Sequence, residues 1–202
     1  MQYGDPIVRV SLLTGPLLGQ LHGTNIKICA FESRVMRSQA YALRAALRQD
    51  VPVSWICSVL FPRATAQDKS LLVDVGITHV VNAAHGPQHI DTGPGFYKGT
   101  GILYHGVEAA DCKDFDLYPF FTETSDFIHG ALSRGGKVLV HCARGISRSA
   151  TLVLAFLLIR ERLTLVEAVQ VVRRHRNILP NLGFLQLLQR LDSSLALQRR
   201  TT

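Results

Sequence analysis

His141, Cys142, Arg148 and Ser149 stand at spacings suited to covalent phosphate chemistry in KVLVHCARGISRSATLVL, residues 137–154. A thiolate is the nucleophile in such chemistry, and a free thiol at its ordinary pKa is only a few per cent ionised at pH 7. The six residues Ala143, Arg144, Gly145, Ile146, Ser147 and Arg148 could curl their backbone N–H groups round an anion, with a helix starting at the same place. Arg148 would add a planar guanidinium able to hold two phosphate oxygens, which a lysine could not. Gly145 fits a loop that needs an unusual φ or a close backbone approach. Attack of Cys142 on a phosphate ester, then hydrolysis of a phosphocysteine, is the reaction these residue types support. A lone cysteine after an apolar strand would ordinarily be core. Cys-x5-Arg-Ser with a preceding histidine and an internal glycine is not ordinary.

The leaving group needs an acid. Asp111, Asp114 and Asp116 lie in one short acidic stretch, Ala109 to Asp116, and spacing alone does not choose among them. His85, His89, His105 and His129 lack partners at metal-ligand spacing, so no metal site is expected. Cys112 beside Asp111 could bridge to Cys142, but a free thiol is the plainer reading.

These residues need a scaffold of alternating strands and helices. Lys137–Val140 reads as a buried strand and Ala150–Ile159 as a buried helix; Thr78–Ala84 and Ile102–Glu108 read as two more strands. Ala66–Val75 should be a helix stopped at Gly76. Another should run over Leu117–Leu132, with Pro119 in its first turn. Thr164-x-x-Glu167 has capping-box spacing for a helix over Thr164–Arg174, and an amphipathic helix should follow from Leu182 to about Leu197. His85–Gly101, rich in Gly and Pro, is a loop. Alternation of short buried strands with helices argues for an α/β layer fold.

The chain has 202 residues and a formal net charge of +7. Its basic residues are scattered, which fits phosphorylated or acidic partners better than nucleic acid. No apolar run reaches the length of a membrane span. Four widely spaced cysteines with no CxxC pair, behind a start broken by Asp5, Gly15, Pro16 and Gly19, suggest a reducing compartment, cytoplasmic or also nuclear. Residues 1–63 read as a basic extension with one candidate helix, Met36–Gln49, and residues 64–198 as the catalytic domain.

HCARGISRSA resembles the signature of cysteine-dependent protein phosphatases of the dual-specificity group. GITHVVNAAHG at 76–86, DTGPGFY at 91–97, YHGVEAAD at 104–111 and HRNILPNLGFL at 175–185 extend the resemblance to the small atypical members, muscle- and testis-type. The resemblance implies an α/β fold with a mostly parallel central sheet flanked by helices, and hydrolysis of phosphotyrosine and phosphoserine or phosphothreonine with no metal or organic cofactor. It implies phosphoprotein substrates, mitogen-activated kinases among them, and a monomer or weak dimer. It selects Asp111 as the acid, with Cys142 as nucleophile and Arg148 as phosphate clamp. Ser149 would assist breakdown of the phosphoenzyme and His141 would help keep the thiolate. Asn82 and Asn181 would support the loop from behind, and Arg176 would meet a second phosphate group. Three positions depart from the pattern. Leu60-Phe61-Pro62-Arg63 stands where relatives end a first strand in Leu-Gly-Asp, so that strand is expected to be lost or misplaced. Leu187 replaces a Gln, and Arg144 replaces an apolar or acidic residue. The departures leave two rival functions: a catalytically silent binding isoform, and a phosphatase of a non-protein ester.

Overall fold

Four short apolar runs build one sheet in the computed structural model, which describes residues 60–86, 90 and 92–200. They are β1 (Leu60–Pro62), β2 (His79–Asn82), β3 (Leu103–Gly106) and β4 (Val138–Cys142). Their order is β1-β4-β2-β3, and every ladder is parallel. The central strands β2 and β4 are buried along their whole length, so their apolar residues do not alternate with exposed ones, and His79, Asn82 and His141 are buried with them. Edge strand β3 is partly exposed.

Among the described residues six helices accompany the sheet: α1 (Arg63–Ala66), α2 (Lys69–Asp74), α3 (Phe120–Leu132), α4 (Arg148–Ile159), α5 (Leu165–Arg173) and α6 (Leu182–Arg200). Helix α4 is the core helix. Every residue from Arg148 to Leu158 is buried, and α3, α5 and α6 all pack against it; apolar side chains point from it in all directions, as a helix at the centre of a domain requires. Thr164 and Glu167 form the expected capping box at the start of α5, each bonding the other's backbone N–H. No described helix is long and apolar enough to cross a membrane.

Local chemistry moved three expected boundaries. The helix expected over Ala66–Val75 is split, because the Asp68 carboxylate accepts the Leu71 N–H at 3.0 Å and starts α2 afresh at Lys69. Pro119 precedes α3 as its N-cap rather than lying in its first turn, after a turn in which Asp116 accepts the Tyr118 N–H. The third is the strand expected to be lost. Leu60–Pro62 pairs with β4 in register Leu60 to Val140 and Pro62 to Cys142. Leu60 is fully buried and Phe61 nearly so, so burial of two apolar side chains on the core outweighs the missing Leu-Gly-Asp ending. Leu187 packs half-buried against the core. The candidate helix Met36–Gln49 lies outside the described residues.

Parallel strands bring their carboxyl ends to one edge. The ends of β4 and β2, and the loop leaving β3, therefore open on the same side, where ligands bind in open α/β sheets.

Candidate active site

Cys142 is the last residue of β4 and α4 begins six residues later, so the intervening loop must turn sharply above the sheet. Gly145 makes the turn with φ of +70°. A Cβ there would come within 2.8 Å of the Phe61 carbonyl carbon and oxygen, so the loop lies directly on β1. The Gly145 N–H and the Ser149 hydroxyl each reach Cys142 Sγ at 3.2 Å. Burial pushes the Cys142 thiol up, but bonds from the Ser149 hydroxyl and from the amides of Ser149, Gly145 and Ile146 outweigh it, and the thiol lies below its ordinary value. Cys142 and Cys112 are both free thiols.

Arg148 opens α4 almost fully buried. Its Nη1 donates to the Ala109 carbonyl at 2.9 Å, and Nε lies 3.8 Å from Asp111 Oδ2 with no hydrogen-bond partner. The acidic loop carries Asp111 to this arginine from a strand that is not a neighbour of β4. It leaves β3, which β2 separates from β4, and reaches across the end of β2 to this arginine. Of the three competing aspartates, Asp111 is the one placed at the loop: its Oδ1 accepts from Ser147 Oγ at 2.7 Å and from Asn181 Nδ2 at 3.0 Å. Asp116 is occupied in its own turn.

The four expected supports are placed as follows. His141 is fully buried, and burial lowers it to about 4, only partly offset by the Cys142 backbone. It is therefore neutral at pH 7, and neither ring nitrogen is bonded to the thiol. Asn82 does not touch the phosphate loop. Its amide donates to Ile90 O at 3.0 Å and Thr92 Oγ1 at 3.3 Å, and its oxygen accepts from Ala84 N–H, so it ties down the loop after β2. Asn181 meets the loop through its backbone N–H, which donates to Ser147 Oγ at 3.3 Å, while its side-chain amide holds Asp111. Arg176, expected to face a second phosphate group, donates to the Gly145 and Arg144 carbonyls at 3.3 and 3.4 Å and lies over the Phe61 ring.

Two contributors were missed. Phe61 forms the floor under Gly145, and Gly183 lets the start of α6 pack onto the acid loop, because a Cβ there would collide with the Lys113 carbonyl. A glycine in the first turn of a helix is costly, and that cost was the signal available in the sequence.

The cleft above the loop measures about 790 Å³ and is lined by Asp111, Lys113, Arg144, Arg148 and the 179–182 segment, among others. Inward amides, a buried guanidinium and a stabilised thiolate suit an anion with an electrophilic centre. Asp111 is the sole carboxylate among the described residues lining it.

The family described as dual specificity phosphatase, catalytic domain, matches residues 60–193. Human dual specificity protein phosphatase 13B is 52% identical over 153 residues, covering 75% of this chain and 77% of that protein. The mouse protein of the same name is 43% identical over 180 residues, 87% of this chain and 90% of its own. The crystal structure of human DUSP28 has a TM-score of 0.61 at 30% identity, over 69% of this chain and 93% of that one. The resemblance read from the signature is borne out, and this chain belongs to the dual specificity phosphatase family, on the side of its 13B-type members.

Proposed function

We propose that this protein phosphatase hydrolyses phosphotyrosine and phosphoserine or phosphothreonine through a phosphocysteine on Cys142. The reading rests on the lowered thiol under a loop of inward amides. Cys142 attacks phosphorus, and the amides of the loop together with Arg148 take up the charge on the equatorial oxygens. Asp111 gives a proton to the departing oxygen and later takes one from the water that attacks the phosphocysteine. Ser149, bonded to Sγ at 3.2 Å, stabilises the sulfur as it leaves. Its hydrogen bond counts for more once the sulfur again carries charge. Exposed Arg144 and Lys113 on the rim favour substrates acidic beside the phosphorylated residue. Mitogen-activated kinases are the candidate substrates that the family resemblance suggests. The silent-isoform reading rested on a lost first strand, and β1 removes that support.

The test is hydrolysis of an aryl phosphate by the full chain and by Cys142→Ser. The variant should lose essentially all turnover while keeping the fold by circular dichroism. Turnover surviving in the serine variant would refute the mechanism.

A further inference from the structure

Asp111 Oδ1 is held by two donors, the Ser147 hydroxyl at 2.7 Å and the Asn181 amide at 3.0 Å. The direction of each bond follows from its neighbours. Asn181 Oδ1 accepts the Phe184 N–H at 3.0 Å, so the nitrogen end of the amide is the one that faces Asp111. Ser147 Oγ accepts the Asn181 N–H at 3.3 Å, so its own proton points to Asp111. With two donors on Oδ1, the proton of the acid form sits on Oδ2. That oxygen is the one 3.8 Å from Arg148 Nε, on the side of the phosphate clamp.

We propose that Asn181 is a positioning residue for the general acid: with Ser147 it pins Asp111 by Oδ1 and leaves Oδ2 to deliver the proton. The proposal rests on the reading of Asp111 as the acid. In the first step Sγ forms its bond to phosphorus while the bond to the ester oxygen breaks. The bonding pair stays on that oxygen, which takes the proton from Oδ2. In the second step the carboxylate takes a proton from water as the water oxygen bonds phosphorus and Sγ leaves as thiolate. Asp111 is 38% exposed in its side chain, so little packing fixes its rotamer, and the two hydrogen bonds supply the orientation instead. The restraint is anchored in the fold. Asn181 starts α6, and Gly183 two residues on packs against the Lys113 carbonyl of the same acid loop.

Asn181→Asp separates this role from a structural one. The carboxylate can still accept the Phe184 N–H and start the helix, but it cannot donate to Asp111. The assay is kcat/KM over a series of aryl phosphates of rising leaving-group pKa, using the full chain. Wild type should show a shallow dependence. Asn181→Asp should steepen it, with about tenfold extra loss on the poorest leaving group relative to the best, because part of the acid's contribution is lost. Asp111→Ala should be steeper still, and adding Asn181→Asp to it should not steepen it further. A uniform loss across the series in Asn181→Asp, with Asp111→Ala steep, would overturn the positioning role alone. A shallow series in Asp111→Ala would remove the acid reading and the positioning role with it.

Discussion

Acidification from pH 7 to pH 5 should cost this protein about 2 kcal/mol of folding stability through His141 alone. In the unfolded chain the imidazole takes up a proton near 6.5; in the folded protein burial holds that back to about 4. Between those values the unfolded state binds more protons. Stability is therefore greatest above 6.5, falls as the pH drops below it, and levels off below about 4. Each pH unit in that window is worth about 1.4 kcal/mol, so the full loss approaches about 3.4 kcal/mol and about three fifths of it is reached by pH 5. Burial also lowers His79 and His105, which push in the same direction. The measurement is therefore a difference: urea unfolding of wild type and His141→Asn at both pH values, in which the neutral-pH cost of the substitution cancels. Wild type should lose about 2 kcal/mol more than the variant. A second readout needs no variant, because the His141 ring proton resonance should not titrate above about pH 5. Equal losses in both proteins, or a His141 resonance moving near pH 6.5, would refute the reasoning.

The thiolate then depends on its hydrogen bonds. Ser149→Ala removes one to a charged sulfur, worth about 1.5 kcal/mol, and should slow iodoacetamide alkylation of Cys142 below pH 7 about tenfold; an unchanged rate against pH would refute it. Gly145→Ala must adopt a left-handed φ at about 1–2 kcal/mol and press a methyl on the Phe61 carbonyl. Loop displacement should cut kcat/KM on an aryl phosphate about 100-fold, and a loss of less than about threefold would show that the loop does not need this contact. Gly183→Ala meets the Lys113 backbone, which cannot rotate away as a side chain would. It should part α6 from the acid loop and lower turnover of poor leaving groups more than of good ones; a uniform effect would refute that link.

The phosphate loop was legible because its chemistry is local: nucleophile, glycine, arginine and serine occupy one stretch of eight residues, Cys142 to Ser149. The strands were legible because burial on both faces gives them adjacent β-branched and apolar residues, Val80-Val81 in β2 and Val138-Leu139-Val140 in β4. What could not be read were partners distant in sequence. Whether Asn82 faces the phosphate loop or the 90–92 turn depends on which side of β2 each loop falls, and no spacing states that. The resemblance gives Arg176 a second phosphate group to meet, and no spacing states that its guanidinium also lies over Phe61 and donates to the loop carbonyls. The resemblance makes His141 a helper of the thiolate, and the fold gives it another setting. In a strand, adjacent side chains face opposite sides, and this one is buried in the core.

The short first strand shows how little chain can complete such a site. β1 is three residues long and lies at the sheet edge, where it adds only one ladder to β4. Its catalytic importance lies in where its backbone runs. The Phe61 carbonyl sits under Gly145, the Phe61 ring lies 5.6 Å from the Arg176 guanidinium, and the Arg63 N–H reaches the Ala143 carbonyl at 3.4 Å. The loop is therefore bounded from below by β1 and from the side by Arg176, while Arg148 and Ser147 link it to the acid loop. None of these contacts needs a Leu-Gly-Asp ending. They need an extended backbone at the right height and one aromatic face, and Leu60-Phe61-Pro62 supplies both. An unusual sequence at this edge is thus compatible with an assembled nucleophile, since the loop reads the strand through its main chain.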